Sequence, residues 1–489
     1  MLFNSPLYFI FLAITLAGFW LLRQRAQARS LFLLLASYGF YFYGTYDAAF
    51  SQALLLSELG WSLLCLGLIF GGSTLDYLLG RMLDRTQEPR TRKILLWSSV
   101  VCYMGILCIF KYFNFLMDSF SGLAAVLRIP VTPFYVSLAL PFGISFFTFE
   151  TMSYTIDVYR GELKAAKNYL HYLLFVCFFP HLVAGPIVRA KDMLPQFAQV
   201  PRYHESLQSR GLWLILGGIV KKVVIGDLLS LNLVNRVFDN PERFSSVETL
   251  LAIYGYAIQI YADFSGYTDV ALGSSLLFGY ELPQNFDAPY LSRSIRDFWR
   301  RWHMSLSTWL RDYLYIPLGG SRGREWKTYR NLMITMLLGG LWHGASWNFV
   351  LWGMLHGVAL SVNRYWGKVQ DRLPQISSGF KAFLGILLTF HYVCFCWIFF
   401  RAPTLGHAIL MLRRLVVWEG GVLNVPLYVF LILIAGMILH AVPGQLKRRL
   451  ETFFVESSAL VQGLVLAGVS YAVFFAMASK PSPFVYGQF

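Results

Sequence analysis

Apolar runs close to the ~20 residues that cross a hydrocarbon core recur along almost the whole of this 489-residue chain. The first four are "LYFIFLAITLAGFWLL" (7–22), "SLFLLLASYGFYFYG" (30–44), "ALLLSELGWSLLCLGLIFGG" (53–72) and "ILLWSSVVCYMGILCIF" (94–110). Further runs lie near 134–157, 211–232, 247–272, 332–357, 380–400, 424–442 and 457–477. Charged residues make up 14% of the chain, where a soluble protein carries about 25%, so too few are present to cover a globular surface. We expect an all-α polytopic integral membrane protein, one membrane domain over residues 1–489. No internal repeat, inverted pair of broken helices, long linker or soluble domain interrupts it.

The formal net charge of +15 does not point to nucleic acid, because many of the basic residues sit in loops between runs. "RQRAQAR" (23–29) follows the first run and "RMLDRTQEPRTRK" (81–93) follows the third, whereas "TYDAAFSQ" and "KYFNFLMDSFSG" are nearly free of positive charge. The positive-inside rule then places the N-terminus outside and the basic loops in the cytoplasm of a multi-pass protein. "MLFNSP" has no basic n-region and no cleavage site follows it, so the first run is expected to be a span and not a cleaved signal. Cys65, Cys102, Cys108, Cys177, Cys394 and Cys396 all lie inside apolar runs, which is neither a disulfide framework nor a zinc ribbon. His391 and Cys394 lack a second pair of ligands, and we expect no metal.

Two regions fit a simple spanning helix poorly. "FFPHLVAGPIVRAKDMLPQF" (178–197) is apolar but broken by Pro180, Gly185 and Pro186. Backbone groups freed there cannot be satisfied by lipid, so a protein-shielded, re-entrant element on the cytoplasmic side is expected. Residues 285–330 are too charged to span and too aromatic for an ordinary loop, and are expected to lie in the cytoplasmic interface.

Chemistry concentrates in three stretches. If 294–314 is one helix, opened by Ser294 with Asp297 three residues on, then Trp299, His303, Ser307 and Arg311 fall along one drifting stripe. Arg300 lies a turn before His303, and Asp297 can pair with Arg301. Guanidinium groups suit phosphates or carboxylates; lipid headgroups account for the arginines equally well but leave His303 unexplained. In "LLGGLWHGASWNFVLWGMLHG" (337–357) an ionisable His343 stands between Trp342 and Gly344. Such a group in an apolar run marks a substrate path or proton handling, and a neutral imidazole can take a proton from an attacking hydroxyl. His356 has no comparable neighbours and reads as structural, as do His171, His204, His407 and His440, while His181 could line a cavity. In "YGYAIQIYADFSGYTDVALG" (254–273), Gln259, Asp263 and Asp269 read as a polar network between helices, as does Asn348 beyond His343; a carboxylate there could also orient a histidine. No phosphate-binding loop, dinucleotide fingerprint or nucleophile elbow is present, so energy must arrive in an activated donor.

"FFPHLVAGPIVR", "YADFSGYTDVALG", "FWRRWHMSLSTWLRDYLYIPLGG" and "LLGGLWHGASWNFVLWGMLHG", in that order, resemble the membrane-bound O-acyltransferase (MBOAT) family, closest to its alginate O-acetyltransferase branch. The resemblance runs through roughly residues 1–400 and is specific in 170–360, with no departure at the histidines or the arginines. It implies a ring of about a dozen helices around a funnel or tunnel. It also implies His343 as the catalytic histidine and His303 as the second essential position, with Arg300, Arg301, Arg311, Trp299 and Ser307 binding the donor or ordering the helix. It implies no bound cofactor. Acetyl-CoA or another thioester would serve as cytoplasmic donor, and a periplasmic acetyltransferase or an exopolysaccharide as acceptor. The alternatives are a D-alanyl transferase for teichoic acid fed by a carrier protein, a non-enzymatic polysaccharide or lipid transporter, and an inactive scaffold. The histidines separate the enzymes from the others, because neither transport nor scaffolding needs an imidazole at 343.

Overall fold

The computed structural model describes residues 3, 5–49, 57–136, 138–183, 185–369, 377–417 and 419–476. Among these every regular element is a helix. The C-terminal stretch "SKPSPFVYGQF", with two aromatic residues beyond Ser479 and a third at its end, lies outside the described residues. Four helical elements are long and apolar enough to cross a membrane: Glu58–Arg85, Pro89–Val126, Ser378–Arg401 and Ala459–Ala476. Leu427–Ala441 joins Gly444–Glu456 through a 91° bend as a fifth candidate, and Pro6–Leu21 is a shorter apolar helix.

The chain contacts group into two compact units, the first comprising residues 1–211 and 271–283. It begins with α1 (Pro6–Leu21), α2 (Ala26–Ala49), α3 (Glu58–Arg85) and α4 (Pro89–Leu107), the last continued through one π-helical turn into α5 (Phe113–Val126). Ser5 caps α1 by accepting from Tyr8 N, and Pro6 occupies the first turn, where its missing N–H is no loss. Next come α6 (Ile144–Arg160), α7 (Tyr169–Cys177) and α8 (Ala190–Ala198). Helix α2 packs on α3 and α7, and α6 packs on α3 and α4.

The segment expected to be broken is broken and buried. After α7 comes a single turn, Phe179–Leu182, and residues 185–189 ahead of α8 are non-helical. Its polar groups are met by side chains from elsewhere in the unit. Val188 N donates to Glu150 Oε1 at 3.0 Å, and Phe179 N donates to Ser37 Oγ at 3.2 Å. The buried Arg29 guanidinium reaches the carbonyls of Phe197 and Gln199 beyond it.

The second unit comprises residues 212–270 and 284–489. Here α9 (Glu205–Ile219) runs into a π-helical stretch, Val220–Asp227, which lies against α10 (Ser246–Leu277). The contact is glycine on glycine: a Cβ at Gly218 would stand 2.6 Å from Gly266 O, and one at Gly266 would stand 2.7 Å from Gly218 O. Ion pairs flank this crossing. Lys222 Nζ is 2.5 Å from Asp263 and 2.7 Å from Asp227, all three buried, and Lys221 pairs with Asp269. Helix α10 does not break at Gly266; the lysines come from the other helix, so both aspartates are met without a kink.

Besides short helical turns such as Asn235–Asp239, the helices that follow are α11 (Ile295–Arg301), α12 (Met304–Leu310), α13 (Glu325–His343), α14 (Trp347–Val369), α15 (Ser378–Arg401), α16 (Leu405–Val416), α17 (Leu427–Ala441), α18 (Gly444–Glu456) and α19 (Ala459–Ala476). Residues 332–357, expected to form one span, are instead the facing parts of an antiparallel hairpin. Helix α13 ends at His343, Gly344 is extended, and α14 starts three residues later. Glycines allow the two backbones to close: a Cβ on Gly340 or Gly353 would collide with Phe349 O or Met336 O, respectively.

Replacing Lys222 by Met would leave Asp227 and Asp263 buried without their cation, a change that costs about 3–5 kcal/mol for a broken buried pair. A Lys222→Met protein is expected to unfold well below wild type in a detergent thermal-unfolding assay. The triple variant with Asp227→Asn and Asp263→Asn is expected to recover most of that loss.

Candidate active site

The hairpin turn fixes His343. It is the last residue of α13, 3% exposed, and its ring stands among Trp342 at 5.0 Å, Trp352 at 5.0 Å and Phe400 at 5.2 Å. Asn348, expected in a polar network, is the latch of this turn: its Nδ2 donates to Ala402 O at 2.8 Å, and its N–H donates to Ser346 Oγ at 3.1 Å. Phe349 lies over Gly344 and stacks edge-on with Phe400 at 5.0 Å, which closes the turn.

His303 is reached from a different break. The helix expected over 294–314 begins as foreseen, with Ser294 Oγ accepting from Asp297 N and Arg301 Nε pairing with Asp297 at 3.0 Å. It stops at Arg301. Trp302 is extended, and His303 adopts φ 42°, ψ 57° ahead of α12. Trp299, His303, Ser307 and Arg311 therefore do not form a continuous stripe. The reason lies outside the segment: Asn285 O takes Met304 N–H and Asn285 Oδ1 takes Ser305 N–H, so the chain is bound to another strand of backbone at the point where a helix would bond to itself. Ser307 Oγ turns back to Trp302 O at 3.2 Å. Beyond α12, Arg311–Tyr315 is π-helical and Arg311, largely exposed, pairs with its neighbour Asp312.

The break carries His303 to a buried position, its ring edge-on to Phe264 at 4.7 Å and to Trp342 at 6.0 Å. Trp342 thus contacts both imidazoles. Burial pushes the His303 pKa down to about 3, so this ring is neutral at physiological pH.

The other expected site residues divide clearly. Trp299 turns away from both histidines: its indole N–H donates to His356 Nδ1 at 3.3 Å, which makes Nδ1 an acceptor and explains His356 as structural. Arg301 is bound to Asp287 and Asp297, while Arg300 is exposed. Asp263 and Asp269 belong to the lysine pairs of α9–α10, and Gln259 is buried on the same helix. Sequence reasoning missed Asn285, Lys221 and Lys222; two adjacent lysines in the apolar 211–232 run were the available signal for the latter. It also missed Glu150, whose Oε1 lies 3.1 Å from His181 Nδ1 with both side chains buried.

A model of the membrane-bound O-acyltransferase family, MBOAT, matches residues 40–402. The chain is 40% identical over 412 residues to the probable alginate O-acetylase AlgI of Pseudomonas aeruginosa, spanning 83% of this chain and 73% of that one. It is 34% identical over 455 residues to the peptidoglycan O-acetyltransferase of Helicobacter pylori, with 86% and 80% covered. Similarity to the teichoic acid D-alanyltransferase of Bacillus subtilis is 30% over 285 residues, with 54% and 69% covered.

Trp299→Phe keeps the ring and removes the donor, leaving His356 Nδ1 buried and unsatisfied at a cost of about 1–3 kcal/mol. The variant is expected to melt earlier than wild type while its acyl transfer per folded molecule stays near normal. Thermal unfolding and transfer activity measured on one preparation check both halves.

Proposed function

This chain belongs to the membrane-bound O-acyltransferase family, and from that premise we propose that it moves an acetyl group from a cytoplasmic thioester to a polysaccharide outside the membrane. Acyl transfer by a membrane enzyme follows from the family and its relatives, and sets aside the transporter and scaffold readings. Acetyl as the group, acetyl-CoA as the donor and an alginate-like or other extracytoplasmic glycan as the acceptor are our reading. Identity to O-acetylating relatives over most of the chain supports it against the shorter match to a D-alanyltransferase.

The observation that carries the site is the gathering of two buried histidines on one indole. His343 and His303, 40 residues apart in the chain, both touch Trp342. In the reaction we propose, His343 accepts the proton of the acceptor hydroxyl as its oxygen attacks the thioester carbonyl. The new C–O bond forms, the C–S bond breaks, and the proton passes from His343 to the departing thiolate. His303 orients a substrate beside it. Arg300 and Arg311, both exposed, are the guanidinium groups suited to the donor's phosphates; Arg301 orders its helix.

The burial of His343 requires both substrates to meet inside the protein, in keeping with a tunnel within a ring of helices. The charge bias of the loops supports a bacterial inner-membrane protein with a periplasmic N-terminus, donor entry on the cytoplasmic side, and an acceptor that is either the polymer or a periplasmic acetyltransferase.

Cells lacking the native protein are complemented with wild type or His343→Ala at matched membrane levels, and polymer-bound O-acetyl is measured. His343→Ala is expected to lower acetylation by the ~10²–10⁴-fold that a general base supplies. Normal acetylation by the variant would sink the proposal. Incorporation of label from charged carrier protein, and not from acetyl-CoA, would move the chain to D-alanyl transfer.

A further inference from the structure

His303 occupies the left-handed region, at φ 42°, where a residue other than glycine is strained unless its surroundings hold it. Asn285 does the holding. Its backbone oxygen accepts from Met304 N–H at 3.0 Å. Its side-chain oxygen accepts from Ser305 N–H at 3.1 Å and from the Ser305 hydroxyl at 2.8 Å, and lies 3.2 Å from His303 Nδ1. Both Asn285 and His303 are fully buried.

This arrangement decides where the proton sits on the ring. A backbone N–H can only donate, so the amide atom facing Ser305 is oxygen and not nitrogen. The same oxygen faces His303 Nδ1, and an amide oxygen has no hydrogen to give. Nδ1 is therefore the donor, and in a neutral imidazole the lone pair then belongs to Nε2.

We infer that Asn285 is a positioning residue for acyl transfer, holding His303 as its Nδ1–H tautomer so that Nε2 acts as a hydrogen-bond acceptor. The inference rests on the participation of His303 proposed above and narrows its role. A ring held this way receives an N–H or O–H of the acyl donor or the acceptor at Nε2; it does not donate to the thioester carbonyl. Protonation of His303 abolishes that capacity.

Groups facing the ring from packed elements include Phe264 on α10 and Trp342 on α13. Several charged or titratable groups on those elements and on the adjoining α11 are engaged elsewhere or belong to the site. Asp263 on α10 is paired with Lys222, Arg301 on α11 is paired with Asp287 and Asp297, and His343 follows Trp342. A carboxylate at 285 would add an anion in hydrogen-bond contact with Nδ1.

The test is the pH dependence of transfer from labelled acetyl-CoA to the cells' own polymer, in membranes carrying the full-length protein. Asn285→Asp keeps an oxygen for Ser305 and adds negative charge beside Nδ1–H, which favours the imidazolium. Its acid limb of kcat is expected to move to higher pH by about 1–3 units, the usual effect of an adjacent opposite charge. Asn285→Ala is expected to lose about 10²-fold or more in kcat, with KM less affected. Ser305→Ala removes a hydroxyl from the same oxygen but leaves the imidazole contact, and is expected to keep the wild-type pH profile. An Asp variant with an unmoved acid limb overturns the inference, whether or not the Ala variant folds. If that happens while His303→Ala is inactive, the proposed function stands; if His303→Ala is fully active, the role of His303 itself falls.

Discussion

Each interruption of a helix inside an apolar interior exposes backbone N–H and C=O groups that neither lipid nor packed hydrocarbon can satisfy. In this protein the repair comes from polar groups elsewhere in the chain, most of them side chains. Asn285 meets the backbone at Met304 and Ser305, and Glu150 meets Val188. Ser37 meets Phe179, Asn348 meets Ala402, and His440 accepts from Tyr290 N at 3.0 Å. The candidate site stands at two of these interruptions, the turn after α13 and the gap between α11 and α12. An imidazole can leave a helix face and reach an aromatic interior there because the broken backbone has been met by other groups.

Charge obeys the same constraint. Lys222 with Asp227 and Asp263 is a buried triad at a crossing where glycines bring two backbones into contact. Desolvating three charges is costly, and their mutual attraction offsets this only with close geometry, which the Gly218–Gly266 contact permits. A larger residue at either glycine would separate the helices and pull the Lys222 ammonium from Asp263 on the facing helix. The two aspartates of "YADFSGYTD" thus pair with lysines of the helix they cross.

Four buried histidines of the second unit show how partners separate roles. His356 accepts from the Trp299 indole and His440 from a backbone N–H, both groups that can only donate, so each ring is committed to holding structure. His303 has its Nδ1 proton held by Asn285, which leaves acceptor chemistry to Nε2. His343, at the end of its helix, stands in an aromatic box whose Trp342 wall it shares with His303. Burial is common to all four, and the groups that surround each ring tell them apart.

The sequence by itself determined the membrane class, the helical content, the broken stretch at 178–197 and the capped start of α11. These follow from length, apolarity and residue type read over a few turns, and from motifs matching a family. It could not show that 294–314 breaks at Trp302, that 332–357 folds back on itself, or that Trp299 serves His356. Those outcomes depend on partners 18 residues away for Asn285 and His303, 54 for Asn348 and Ala402, and 57 for Trp299 and His356. Helical periodicity describes what a segment does when it bonds to itself. Where a distant amide or carboxylate offers its backbone a better partner in a medium without water, the tertiary structure decides.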